Sequence, residues 1–348
     1  MTKLLIDAGR SNRGWSRIGQ FMKCPQLYAY SYKLNLELIP ASALTRGSMG
    51  HTLQAHLHAI WGAQQGGVIV DTTTHTDPDA FYEPEEALFQ WCDVNQGGHE
   101  HIDRMLETYH HYLEQHPEPP GRIVAVEHPM TAVLGWKNSK WGLWVTSIEE
   151  AEEGFDRACE TVVACDGALI QVTPLNMPGH EDHGKPVHLS RRLDMVVEDR
   201  SGRICIWDHK DQAWVSVGRT GDAYAIDGGF AAFRIMGRQV YGRQFGGLIL
   251  NLIQTQGPWR VARPTVPPTP HRDSHFAELL WKAEHHLAQI EVQSTDPWRW
   301  PRLCTRLPAL ADTVVVRDWI FVSMATVPWT GSPSLATLIR PHKLRDWR

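Results

Sequence analysis

Cysteine is scarce and unpatterned in these 348 residues: six, at 24, 92, 159, 165, 205 and 304, with no C-x-x-C pair. That argues against a zinc ribbon or a small disulfide framework, and a reduced compartment such as the cytoplasm is the natural expectation. No apolar run approaches the ~18 residues a membrane helix requires. The opening MTKLLIDAGRSNRGWS lacks the long apolar stretch of a secretory signal. Positive charge is not in excess either. Lys and Arg total 34 against 39 Asp and Glu, a formal net charge of -5, which taken whole argues against a polyanionic ligand. What is present is a globular composition, 42% hydrophobic and 21% charged, in a chain long enough for one large domain or two ordinary ones. Tryptophan (15) and histidine (19) are both abundant.

The net charge conceals an uneven distribution. Residues 1–46 hold 7 basic and 2 acidic side chains, residues 47–254 hold 15 and 29, and residues 255–348 hold 12 and 8. An acidic centre between basic flanks suits a divalent-cation site bordered by phosphate-contacting segments. Chance clustering on solvated surfaces fits the same numbers equally well.

Residues 16–38, opening at a possible cap Ser16, are aromatic-rich, and Phe21, Tyr28, Tyr30 and Tyr32 are expected to pack in a core more readily than to stack on bases. Residues 45–64 read as a helix, because Met49, Leu53, Leu57, Ile60 and Trp61 keep one apolar face and leave His51 pointing elsewhere. A second helix covers 99–116 and stops before Pro117. From Gly121 the period becomes two. GRIVAVEHPMTAVLGW reads as a strand pair, followed by strands in 141–148 and 160–175 and a hairpin over 188–211. Helical spacing returns at 222–241, then FGGLILNLIQTQ reads as a central strand. A Pro-rich linker (258–270) leads to an amphipathic helix built on Phe276, Leu279, Leu280, Ala283, Leu287 and Ile290. This order predicts an α/β fold, a mixed central sheet flanked by helices, with helical additions at both ends. The divisions are 1–45, 46–255 and 256–348.

The hairpin carries the chemistry. Alternation puts Ile204, Ile206, Asp208 and Lys210 on one face of a strand, with a carboxylate and an ammonium emerging about 6.6 Å apart along it. Asp194 lies on the preceding strand, and Glu127 sits inside the apolar IVAVEHP. Paired carboxylates suit a hard cation such as Mg²⁺ or Mn²⁺, which polarises a phosphate and acidifies a bound water. A neighbouring lysine orients that water and offsets developing negative charge. Asp-x-Lys alone is more often a surface salt bridge; the apolar strand and the second Asp raise it above that.

The ordered set Gly47-x-x-x-His51, Glu127, Leu193-Asp194 and Asp208-His209-Lys210 resembles the PD-(D/E)XK nuclease superfamily. Together with Ser16, Phe21, Cys24, Pro25, Tyr28 and Tyr30, it is most similar to the RecB/Cas4-like exonuclease branch, which includes phage members. The resemblance spans roughly 16–255, with a weaker echo at 298–304. It implies a restriction-endonuclease-like core and a metal-dependent DNA nuclease of recombination, repair or phage DNA processing, either an exonuclease or specific for single strands. It implies His51, Asp194 and Asp208 as metal ligands with the His209 carbonyl, Lys210 as the catalytic lysine and Glu127 as a supporting acid. The cofactor would be Mg²⁺ or Mn²⁺ and the partner DNA, as single strands or duplex ends, with no membrane involved, in the cytoplasm of a bacterial or phage-infected cell. Two departures stand out. Members carry Q-x-x-x-Y on the helix after the lysine strand, where this chain has Gly229 and Phe233, losing an amide and a hydroxyl expected to position DNA. The alternative of a weakened or inactive DNA-binding subunit follows from that loss. Iron–sulfur members pair an early Cys with three late ones, but no Cys follows Cys304, so no cluster is expected.

Overall fold

The alternation at 188–212 forms an antiparallel hairpin of β7 (His188–Glu198) and β8 (Ile204–Gln212). Asp199 closes its turn by accepting hydrogen bonds from the Ser201 and Arg203 amides. The structure, a computed structural model, describes residues 3–6, 14–34, 42–147, 161–216, 222–225, 227–294 and 300. Cys159, Cys304 and most of the 298–304 echo lie outside the described residues.

Around the hairpin runs a sheet of order β10-β9-β8-β7-β3-β1-β2. Its other members are β1 (Val68–Val70), β2 (Thr73–His75), β3 (Arg122–Lys137), β9 (Phe245–Gln254) and β10 (Val261–Ala262). β11 (Thr265–Val266) pairs with β9, while β4 (Lys140–Thr146) and β6 (Leu169–Val172) pair with the far half of β3, and β5 (Thr161–Val163) with β6. β1/β3 and β8/β9 are parallel and the remaining pairs antiparallel, so the sheet is mixed, as its pattern predicts. A parallel neighbour demands a crossover.

Helices cover both faces, which is how a sheet of apolar strands leaves water. On one face lie α3 (Ser42–Gln64), α4 (Pro84–Asn95) and α5 (Ile102–Gln115). On the other lie α1 (Trp15–Lys23), α6 (Gly228–Tyr241) and α7 (Pro270–Gln293), where Ile18, Phe230, Phe233 and Leu280 meet Leu193, Val196, Ile206 and Leu250. Between them, α2 (Pro25–Tyr28) is capped by the Cys24 thiol, which accepts the Leu27 amide. α1 packs on α7 through a buried Arg17–Glu284 ion pair and a Trp15–Phe276 ring contact at 5.2 Å. Among the described residues no helix is long and apolar enough to cross a membrane.

Several elements differ from the sequence reading. β3 is one long strand rather than two, and Pro129 is tolerated because it falls between the stretch pairing β1 and the stretch pairing β4. α4 was hidden in an acidic stretch, yet Pro84 in its first turn and Glu85 and Glu86 beside its N-terminus are favourable starting residues. α1 begins after Gly14, so Ser16 lies inside the helix rather than capping it. The Pro-rich stretch read as a linker supplies β10 and β11.

Candidate active site

The acids sit where two strands change step. On β3, Met130, Ala132 and Leu134 share the α6 side with Ala125, whereas Ile123 and Val126 face α3. On β7, Leu189, Leu193 and Val196 face the α6 side, whereas Met195 and Val197 face α3. A strict period of two is therefore broken on both strands at the same level, with a register irregularity close by at Ile123/Ala125. Glu127 and Asp194 lie opposite each other at this break, between the pairs Val126↔Met195 and His128↔Leu193. Glu127 is buried and held at φ 49, in the left-handed region. For a glutamate that conformation costs about 1–3 kcal/mol, and it is maintained only where surroundings over-determine it.

His51 of α3 joins them. One ligand atom each from His51, Glu127 and Asp194 lie within 4.8 Å of one another, and His51 Nδ1 is 3.6 Å from Asp194 Oδ2. α3 reaches β8 closely because of Gly50: a Cβ there would lie 1.6 Å from Asp211 Oδ2. Gly47, singled out by the G-x-x-x-H spacing, has open space around the same position.

The last β7–β8 ladder pair on this side is Met195↔Trp207. Beyond it the Asp194 carboxylate takes over, accepting the His209 amide at 2.7 Å. Asp208 and Lys210 share one face as expected. Lys210 Nζ is 2.5 Å from Asp208 Oδ2 and also donates to the His209 carbonyl at 3.1 Å. Burial pushes the Asp208 carboxyl up, with Lys210 only partly opposing. Burial works against the Lys210 ammonium, but Asp208 and Asp194 outweigh it and its pKa rises. Lys210 is thus a cation at neutral pH, able to donate hydrogen bonds and unable to accept a proton.

Thus His51, Glu127 and Asp194 form one tight group, and Asp208 with Lys210 forms an ion pair beside it. The His209 side chain turns to the opposite face. It stacks on His58 with centroids 4.9 Å apart, and its Nδ1 is 2.9 Å from Asn251 Nδ2. Arg263 extends this network to Asn251 and to the Tyr112 hydroxyl. Burial drives both imidazoles towards the neutral form, His58 to about 3.

Three further residues bear on the site. The Asp211 carboxyl is pushed up to about 6 by burial, with His51 and Lys210 opposing. Tyr224 lies near enough for the charges of Lys210 and Asp208 to act on it. Arg191 lies near enough for the charges of Asp208, Asp227 and Asp194 to act on it. Only Asp211 had a sequence signal, since alternation places it on the face opposite Asp208. A nitrogen and several carboxylate oxygens gathered in a half-buried position suit a divalent cation of the Mg²⁺ or Mn²⁺ kind. Asp208 Oδ2 is buried with the Lys210 ammonium 2.5 Å away, and burial still pushes its carboxyl up, which fits a demand for further positive charge.

A sequence model of the PD-(D/E)XK nuclease superfamily matches residues 15–227, which include every residue of this cluster. The chain belongs to the PD-(D/E)XK nuclease superfamily. Membership in the PD-(D/E)XK superfamily implies metal-dependent phosphodiester hydrolysis, with DNA as the substrate class. The match ends at Asp227, whose carboxylate accepts the Gly229 amide at 2.7 Å and so caps α6. Gly229 and Phe233 therefore lie just past the matched region. No curated protein matches the chain.

Proposed function

We propose that this protein is a Mg²⁺- or Mn²⁺-dependent deoxyribonuclease, an exonuclease or single-strand-specific enzyme of recombination, repair or phage DNA processing. The observation that carries the proposal is the meeting of His51, Glu127 and Asp194 beside the Asp208–Lys210 pair. Their order along the chain, so similar to the RecB-like exonuclease branch, supports the finer assignment. His51, Glu127, Asp194, Asp208 and the His209 carbonyl would hold the cation. Once bound, it supplies Lewis acidity to the phosphate and lowers the pKa of the attacking water.

The chain's own groups do the rest. The His209 amide ties down one Asp194 oxygen and fixes the plane of that carboxylate. Lys210, kept charged by Asp208 and Asp194, donates to the attacking water or to a phosphate oxygen and offsets negative charge as the water attacks in line. The strained Glu127 backbone sets the third carboxylate against the other two groups.

The test is cleavage of end-labelled single- and double-stranded DNA in each metal. Asp208→Ala and Lys210→Ala should each lower the rate by at least ~10²-fold, and an equal rate in either variant would refute the assignment. A second reading, a DNA-binding subunit without cleavage, is favoured by Gly229 and Phe233. It predicts salt-sensitive DNA binding and no metal-dependent cutting by the unaltered protein.

A further inference from the structure

We propose that Arg191 binds a phosphate oxygen of the DNA strand beside the acidic cluster and fills the strand-positioning role that Gly229 and Phe233 leave vacant. This rests on the nuclease reading for its substrate.

Arg191 stands on β7 three residues before Asp194, at an alternate position between Leu189 and Leu193, both fully buried on the α6 side. A half-buried guanidinium on that apolar side needs a counter-group, because charge taken out of water without one is costly. None is supplied. Its Nε is buried without a hydrogen-bond partner, and among the described residues no carboxylate forms an ion pair with it. Asp208, Asp227 and Asp194 act on it only at longer range, and burial outweighs them to pull its pKa down.

The guanidinium is nonetheless held in one place. Its Cζ lies 4.1 Å from the centroid of the Phe233 ring, a cation–π platform that a ring without a hydroxyl provides equally well. The other wall is Gly229, where a Cβ would come within 3.1 Å of an Arg191 terminal nitrogen and 2.8 Å of Asp227 Oδ1. A side chain at 229 would crowd the space that Arg191 now uses. The two departures on α6 thus have one physical consequence: they make room and a floor for an arginine arriving from β7. Arginine is suited to the task, since its planar fork matches two oxygens of a phosphate. With Asp194 and Asp208 committed to a divalent cation, their pull on Arg191 would be spent and its terminal nitrogens would be left for a phosphate oxygen.

The experiment uses the full chain and follows anisotropy of labelled single-stranded and blunt duplex oligonucleotides with Ca²⁺ present, across a range of salt. Cleavage rates in Mn²⁺ and calorimetric Mn²⁺ titration without DNA accompany it. Arg191→Met, which keeps an apolar stem on Phe233, is measured beside Arg191→Ala and Arg191→Lys. Loss of the charge should weaken DNA binding about tenfold and flatten the log–log salt slope by about 1, while Mn²⁺ affinity stays level or rises. Arg191→Lys should keep the slope and still cut more slowly, because the fork is gone. Unchanged DNA affinity and slope in Arg191→Met overturn the proposal, as does a loss of Mn²⁺ binding in step with DNA binding, which marks a structural role. Failure of the underlying reading looks different. If the unaltered protein cuts nothing yet binds DNA with an Arg191-dependent slope, the nuclease assignment falls and the phosphate contact stands.

Discussion

Gly47 and Gly50 lie about one turn apart on α3 and call for opposite outcomes. A Cβ at Gly50 meets the Asp211 carboxylate, whereas at Gly47 it meets nothing within 4 Å. Gly50→Ala should therefore destabilise by about 1–3 kcal/mol through overpacking and displace His51, lowering metal affinity. Gly47→Ala should be neutral or stabilise by up to about 1 kcal/mol through helix propensity. Urea melts with Mn²⁺ titrations of the two variants decide this, and equal effects would refute it. Asp194, Asp208 and Lys210 were legible from alternation and local apolar context. Gly50 was not, because its requirement comes from a strand some 160 residues away in sequence. Arg191 was invisible for the same reason: its surroundings are built by α6, not by its neighbours on β7.

At the scale of elements, α3 carries the apolar stripe its sequence shows, but over residues 52–60 its other faces are buried as well. Thr52, Gln54, His56 and His58 are all under 4% exposed. The stripe could not reveal this, since one face meets α4 and α5 and the others meet the sheet and the N-terminal segment. His56 shows the cost. Its Nε2 accepts the Ile6 amide at 2.9 Å, so Nδ1 carries the proton and donates to the Tyr82 carbonyl at 3.0 Å. Burial lowers its pKa to about 4 from an ordinary 6.5, the Tyr82 carbonyl opposing. The unfolded chain thus binds the proton first as pH falls. The stability due to neutral His56 is complete above pH 6.5 and is lost progressively as pH drops towards 4. His56→Gln, which can make both hydrogen bonds without titrating, should remove up to about 3 kcal/mol of that loss. Urea unfolding at pH 7.5 and 4.5 measures it, and parallel pH profiles for the two proteins would count against the assignment.

For the whole molecule, the mixed sheet with helices on both faces followed from the order of periodic segments. What escaped were short pieces whose identity depends on a neighbour: β10 and β11, two residues each, exist because β9 offers an edge. The charge distribution belongs to this scale too. Residues 47–254 hold 29 acidic side chains against 15 basic ones, and Glu127, Asp194 and Asp208 converge within that stretch. Bringing them together in the fold without a cation works against stability. Mn²⁺ at about a hundredfold its dissociation constant should add roughly 2.7 kcal/mol, read as a higher melting temperature than in EDTA. Asp194→Asn should abolish most of that gain while melting normally in EDTA. A melting temperature indifferent to Mn²⁺ would remove the case for a cation at this position.

The β8 strand is clasped on one side by β7 and on the other by the parallel β9, which is reached only after α6. A chain emerging from the ribosome has therefore made His51, Glu127, Asp194, Asp208 and Lys210 well before it has made the strand that closes over the lysine arm. The side chains of the cluster exist early; the sheet that completes their surroundings is finished late.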